Sequence, residues 1–183
     1  CLIITSALNY HNVFYNIKTG ISKFELSLFK LGHSFFSTSM SYEECVFCGH
    51  RTFSMPLCGE CSQKRFLNFA LPDERRCAKC GKLLLSEETL CSSCRGKSIL
   101  SYADSVFPLW SYRLWMKSLL FEWKINGCRS LSPLFALAVE KALVNIYGKQ
   151  RPVPLVPVPP RPGKIKKTGW DQIDELCNIL HSC

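Results

Sequence analysis

The stretch CVFCGHRTFSMPLCGEC (45–61), answered by CAKCGKLLLSEETLCSSC (77–94), decides how the rest of this chain is read. Each half holds two Cys-x-x-Cys pairs: Cys45/Cys48 with Cys58/Cys61, then Cys77/Cys80 with Cys91/Cys94. In both halves glycine follows the first pair, leucine precedes the second, and nine or ten residues separate them. The offset from Cys45 to Cys77 makes this an internal repeat of 32 residues. Thiolates separated by two residues turn onto one tetrahedral ion, and four of them close a structural zinc site with Zn–S bonds of about 2.3 Å. Gly49 and Gly81 sit where the backbone must fold back, and glycine reaches positive φ without steric cost. A module this poor in apolar residues folds on metal-binding energy. Eight cysteines also suit the disulfide framework of a small secreted domain. Nothing in the first residues given resembles a secretory signal, however, and four regular pairs favour metal. Two structural zinc ions are therefore expected. Grouping 45/48/58/61 and 77/80/91/94 follows the repeat; interleaved grouping stays open, because spacing alone does not fix which pairs meet.

The remaining composition sets the frame. The chain has 183 residues, enough for one ordinary domain or two small ones, and its hydrophobic fraction of 47% argues against wholesale disorder. Twenty-three Lys and Arg against 14 Asp and Glu give a net charge of +9, which favours anionic partners such as nucleic acid or phosphorylated metabolites. The same charge also fits an ordinary solvated surface. No uncharged apolar run reaches the length of a membrane span. Thiolate zinc sites point to a reducing cytoplasm. Cys1, Cys128, Cys177 and Cys183 show no pairing pattern and read as bystanders.

Outward from the repeat, three regions are expected: an N-terminal segment (1–44), the double zinc ribbon (45–97) and a third region (101–183). The chain opens on Cys1, which suggests a fragment, a processed product or an unusual start, with Met40 as a candidate true start. Ile21, Phe24, Leu28, Leu31 and Phe35 recur at helical steps and predict an amphipathic helix, packed on a core rather than on a membrane. Gln63–Leu71 reads as a short helix stopped by Pro72. Basic residues of the module (Lys64, Arg65, Arg75, Arg76, Lys79, Lys82, Arg95, Lys97) form either a phosphate-binding surface or the flank of a purely bracing ribbon. Ser105–Trp110 reads as an extended edge piece around Pro108. Tyr112–Ile125 reads as a helix ended at Asn126–Gly127. The next helix has Ser132 as N-cap, Pro133 at its first position and Gly148 beyond its end. RPVPLVPVPPRPGKIKKTGWDQ (151–172) then gives a short apolar strand over Leu155–Val158, a basic loop and a helix over Asp171–His181. Strand, basic loop and helix is an arrangement that meets phosphate, since free amides and the helix dipole favour anions. It reads otherwise as a proline-rich linker, and a single strand cannot make a sheet.

With both stretches in view, residues 45–181 resemble the ComF family of competence-associated, phosphoribosyltransferase-like proteins. The eight cysteines match that family's double zinc ribbon. Tyr112, Lys124 and Gly127 match its spaced tyrosine, lysine and glycine. Val156–Pro159, Arg161–Lys167 and Thr168–Gln172 resemble its Val-Pro-Val-Pro strand, basic loop and Arg-Gly-Phe-Asn-Gln turn. The resemblance implies a small zinc-ribbon module followed by an incomplete α/β domain of the type I phosphoribosyltransferase kind. It implies a diphosphate-side loop at Arg161, Lys164, Lys167, Gly169 and Gln172, with no catalytic residue in this stretch. It also implies a link to DNA uptake or nucleotide metabolism, with single-stranded DNA or competence proteins as partners. Phosphoribosyl pyrophosphate and magnesium enter only with a complete transferase domain. The departures are Thr168 for arginine, Trp170 for phenylalanine, Asp171 for asparagine, and Leu114 where the family has glycine. The flexible loop and the Asp-Asp/Thr-Thr-Gly strand that cradles ribose 5-phosphate have no counterpart. Phosphoribosyl transfer relies on positioning and electrostatics that one basic loop does not supply. A chain of this extent is therefore expected to be inactive as a transferase. The competing expectations are a zinc-dependent nucleic-acid or protein binding module, and a non-functional remnant of a truncated gene.

Overall fold

The computed structural model describes residues 44–53, 55–69, 75–86, 89–96, 103–148, 154–163, 165–166 and 169–182. The helix expected around Ile21–Phe36 lies outside them. Regular strands are absent among the described residues, so the sheet of the expected α/β domain is not on display. Two isolated antiparallel bridges join Glu44 to Arg51 and Arg76 to Leu83. These bridges are one repeat apart, and each closes a knuckle around the first Cys-x-x-Cys pair.

Helices supply the body. The helix α1, Gly59–Cys61, starts at the Cys58 cap and runs on into a π-helical turn, Ser62–Phe66. This helical piece begins earlier and stops sooner than Gln63–Leu71 in the sequence reading, because the Cys58 side chain caps it by accepting from Cys61 N–H. The short α2, Ser92–Gly96, closes the second repeat. Two longer helices follow, α3, Leu114–Lys124, and α4, Ser132–Tyr147. Gly148 terminates α4 at φ 78°, as its position beyond the last apolar residue predicts. Finally α5, Gln172–Ser182, packs on α4 through Leu176 and Leu180.

Ser132 differs from expectation. A 3-10 turn over Arg129–Leu131 precedes α4, so Ser132 is the first helical residue and is fully buried. Its hydroxyl accepts from Trp123 Nε1 at 2.8 Å and donates to Glu175 Oε2 at 3.0 Å. The expected strand at Leu155–Val158 shrinks to one bridge position at Leu155, which is buried, while Val156 and Val158 stay exposed. Pro154, Pro157, Pro159 and Pro160 have no N–H to give a ladder.

The main core joins α3, α4 and α5 to the first ribbon. Leu57, Phe66, Met116, Leu119, Trp123, Leu131, Phe135 and Leu176 all belong to it. Its centre is aromatic: Trp123 stacks on Phe135 at 4.3 Å, and Phe66 meets Phe135 edge-on at 5.2 Å. Such pairs add about 0.5–1.5 kcal/mol each beyond area burial. A strap, residues 105–110, crosses between the ribbons. Trp110 at its end packs its ring, tilted, on Phe66 at 4.7 Å and donates Nε1–H to the Phe66 carbonyl at 3.0 Å.

Candidate metal centres

The fold groups the cysteines in sequential order. Cys45, Cys48, Cys58 and Cys61 form one set and Cys77, Cys80, Cys91 and Cys94 the other, with the sulfurs of each set within 4.8 Å of one another. The interleaved grouping is therefore not the one adopted. Each set is a repeat of the other down to single hydrogen bonds. Cys45 N–H donates to the His50 carbonyl and Cys77 N–H to the Lys82 carbonyl, both at 2.8 Å. Gly49 N–H donates to Cys45 at 2.9 Å and Gly81 N–H to Cys77 at 2.8 Å. These bonds turn the knuckle back on itself, and the turn takes Gly49 to φ 70° and Gly81 to φ 69°. L-residues with a Cβ rarely adopt that conformation.

The sulfur geometry fits a tetrahedral ion. Zn–S bonds of about 2.3 Å require tetrahedron edges of about 3.8 Å. Cys48 Sγ stands 3.7 Å from Cys58 Sγ, and Cys80 Sγ stands 3.7 Å from Cys91 Sγ. Backbone N–H groups stabilise negative charge on the sulfurs: Cys61 N–H donates to Cys58 Sγ and Cys91 N–H to Cys77 Sγ, each at 3.4 Å. The described cysteines are all free thiols. Each set could therefore hold one metal ion such as zinc.

Without an ion, the thiols of a set share negative charge unequally. Burial pushes Cys45 up, but backbone N–H bonds from Cys58, Phe47 and Cys48 outweigh it and bring the thiol down to about 6. Cys77 follows the same balance, with backbone bonds at Cys80, Cys91 and Lys79, and also falls to about 6. Burial and neighbouring sulfurs push Cys61 strongly up, and Cys94 up to about 12. One thiolate thus stands ready in each set, and a cation is what allows further sulfurs to ionise.

The basic residues near the ribbons are largely engaged within the protein. Lys64 pairs with Glu60 at 2.8 Å, and Arg65 lies over the Phe47 ring. Arg76 donates to the Gly81 carbonyl at 3.1 Å and Arg95 to the Leu90 carbonyl at 3.0 Å. Lys82 is exposed, and Lys97 lies outside the described residues.

The 161–172 loop is described in part. Arg161 is exposed and Gly169 is exposed with φ 65°, whereas Lys164, Lys167 and Thr168 lie outside the described residues. Gln172 is buried at the first position of α5. Asp171 Oδ1 accepts from Ile173 N–H at 2.9 Å, so its negative charge serves the helix start. The sequence reading did not foresee the polar hub behind this loop. Glu175 accepts from Trp170 Nε1 at 2.7 Å, from Ser132 Oγ at 3.0 Å and from Arg129 at 3.1 Å. Its partners stand up to 46 residues away in sequence, and no local pattern pairs them.

No helix among the described residues is long and apolar enough to cross a membrane. Comparison with family models, curated proteins and solved structures gives no match to this chain.

Proposed function

We propose that this chain carries two structural zinc ions, one per cysteine set, in a double ribbon that braces the first part of a ComF-like, phosphoribosyltransferase-related domain. The closed four-sulfur geometry carries the metal reading. Four protein ligands fill a tetrahedral ion and leave no open position for water or substrate, which is the mark of a structural site. Burial of Cys45 and Cys61 within the main core supports the bracing role.

Local backbone supports the ComF-like reading. Leu114 stands where that family has glycine, and it is the one non-glycine residue at positive φ among those described, at 46°. A glycine-type conformation thus persists under a leucine side chain. Gly127, at φ 70°, ends α3 three residues after Lys124, in keeping with the family's tyrosine, lysine and glycine spacing. On this reading the protein serves DNA uptake or nucleotide metabolism, and the 161–172 loop is its diphosphate-side contact.

Metal analysis of freshly purified, reduced protein tests the first claim: two zinc ions per chain are expected, and one or none refutes the double site. Binding of phosphoribosyl pyrophosphate with magnesium to the native protein from its own cells tests the second. Intact mass of the same sample reports the length of the natural chain. Absence of binding in a chain that includes the Asp-Asp and Thr-Thr-Gly elements would sink the transferase relationship. The nucleic-acid reading ranks second, because Lys64, Arg65, Arg76 and Arg95 already have partners inside the protein.

A further inference from the structure

The two sets of sulfurs are alike, but their surroundings are not. Two aromatic side chains leave the first set for the helical body. Phe47 lies between ligands Cys45 and Cys48 and meets Trp115 with tilted rings, centroids 4.0 Å apart. Phe66 sits on the helical turn that begins at ligands Cys58 and Cys61, is fully buried, and meets both Trp110 and Phe135. The turn's end is held too, since Lys141 on α4 donates to the Leu67 carbonyl at 3.2 Å. One arm of the first site therefore ends in the aromatic centre of the protein, and the other on Trp115 of α3, which packs against the same core.

Among the described residues the second set has no such reach. Cys77, Leu84 and Cys91 form a small core of their own, to which Cys80, Leu90 and Cys94 add. One repeat after Phe47 the chain has Lys79, and that residue meets the strap through its carbonyl, which accepts from Val106 N–H at 2.9 Å. Gly81 completes the contact, packed so closely on Pro108 and the Val106 carbonyl that no side chain fits. The second lobe rests on a backbone strap rather than in the core.

We propose that the first metal site is a clamp on the helical body, so that metal loss there releases the body's aromatic core, while metal loss at the second site stays local. The proposal rests on the zinc reading above and gives the fold a conformational device sensitive to metal at one site only. Metal loss at the first site frees the two knuckles that deliver Phe47 and Phe66. Trp110 and Trp115 then lose their aromatic neighbours on the ribbon.

The test compares Cys48→Ser with Cys80→Ser in the full zinc-loaded chain, reading zinc content, near-ultraviolet circular dichroism and tryptophan emission. Cys80→Ser is expected to lose the second zinc ion and keep the tryptophan signals of the parent. Cys48→Ser is expected to lose most of the near-ultraviolet signal and to shift tryptophan emission to the red. Equal tryptophan effects from both variants, collapse included, overturn the proposal, and so does silence from both. Phe47→Lys, which installs the second ribbon's residue, leaves every ligand in place. It should retain both zinc ions and lower the melting temperature of the body; an unchanged melt overturns the clamp. If the parent protein holds no zinc, the zinc reading itself fails, an outcome these variants do not mimic.

Discussion

Leu114 is the residue whose backbone disagrees most with its side chain. Its φ of 46° places it in the left-handed region, and its side chain is 84% exposed, so no burial compensates. An L-residue with a Cβ pays about 1–2 kcal/mol there. Leu114→Gly should raise stability by up to about 1 kcal/mol, the remainder being offset by glycine's greater unfolded entropy. A chemical-denaturation midpoint that falls in this variant would contradict the strain. Glu140 presents the opposite problem. It is 3% exposed on α4, Oε1 has no hydrogen-bond partner, and burial raises its pKa. A carboxyl with a raised folded pKa favours the fold when protonated and costs stability as pH rises through the unfolded value, near 4.5. Glu140→Gln should therefore raise the melting temperature at pH 7 by about 2–4 °C, for a gain of about 1 kcal/mol. Melting curves at pH 4 should show that gain largely gone. Neither residue announces itself in the sequence: Leu114 looks like an ordinary apolar helix position, and Glu140 a surface one.

At the scale of elements, the knuckle and the strap are matched pieces. Gly81 needs both its positive φ and its missing side chain, whereas a Cβ at Gly49 would meet nothing within 4 Å. Gly81→Ala should thus be the costlier of the two, by about 1–3 kcal/mol from the added crowding. Zinc release to a chelator should quicken at the second site in Gly81→Ala, and equal release rates in the two glycine variants would contradict the close fit. The helices α3, α4 and α5 were legible from punctuation and apolar spacing, because both act within a few residues. Ser132 was misread as a cap. Its neighbours in sequence, Leu131 and Pro133, give no hint that Trp123 and Glu175 claim its hydroxyl. Likewise Trp170 stands out only as a departure from phenylalanine, yet its indole N–H anchors the loop's end to Glu175.

For the whole molecule, metal and proton compete. With Cys45 and Cys77 brought down to about 6 from an ordinary 9.0, each contributes stability that is full above the unfolded thiol value and is lost as pH falls through about 6. Zinc affinity should rise with pH and drop steeply once that last thiolate is protonated, with protons released on binding. Competition titrations between pH 5 and 8 read this directly, and a flat profile would refute thiolate ligation. A net charge of +9 leaves any anion contact salt-sensitive as well. The sequence by itself determined the two cysteine modules, since ligand spacing and the glycine after each first pair act over fewer than twenty residues and the 32-residue repeat writes the pattern twice. It also determined where the long helices begin and end, to within a residue or two. Only the tertiary structure decided which cysteine pairs meet, that the first ribbon shares the helical core while the second stands apart, and that Glu175 gathers Arg129, Ser132 and Trp170. Those outcomes depend on contacts between residues far apart in the chain, and their energies exist only once burial has removed the water between them.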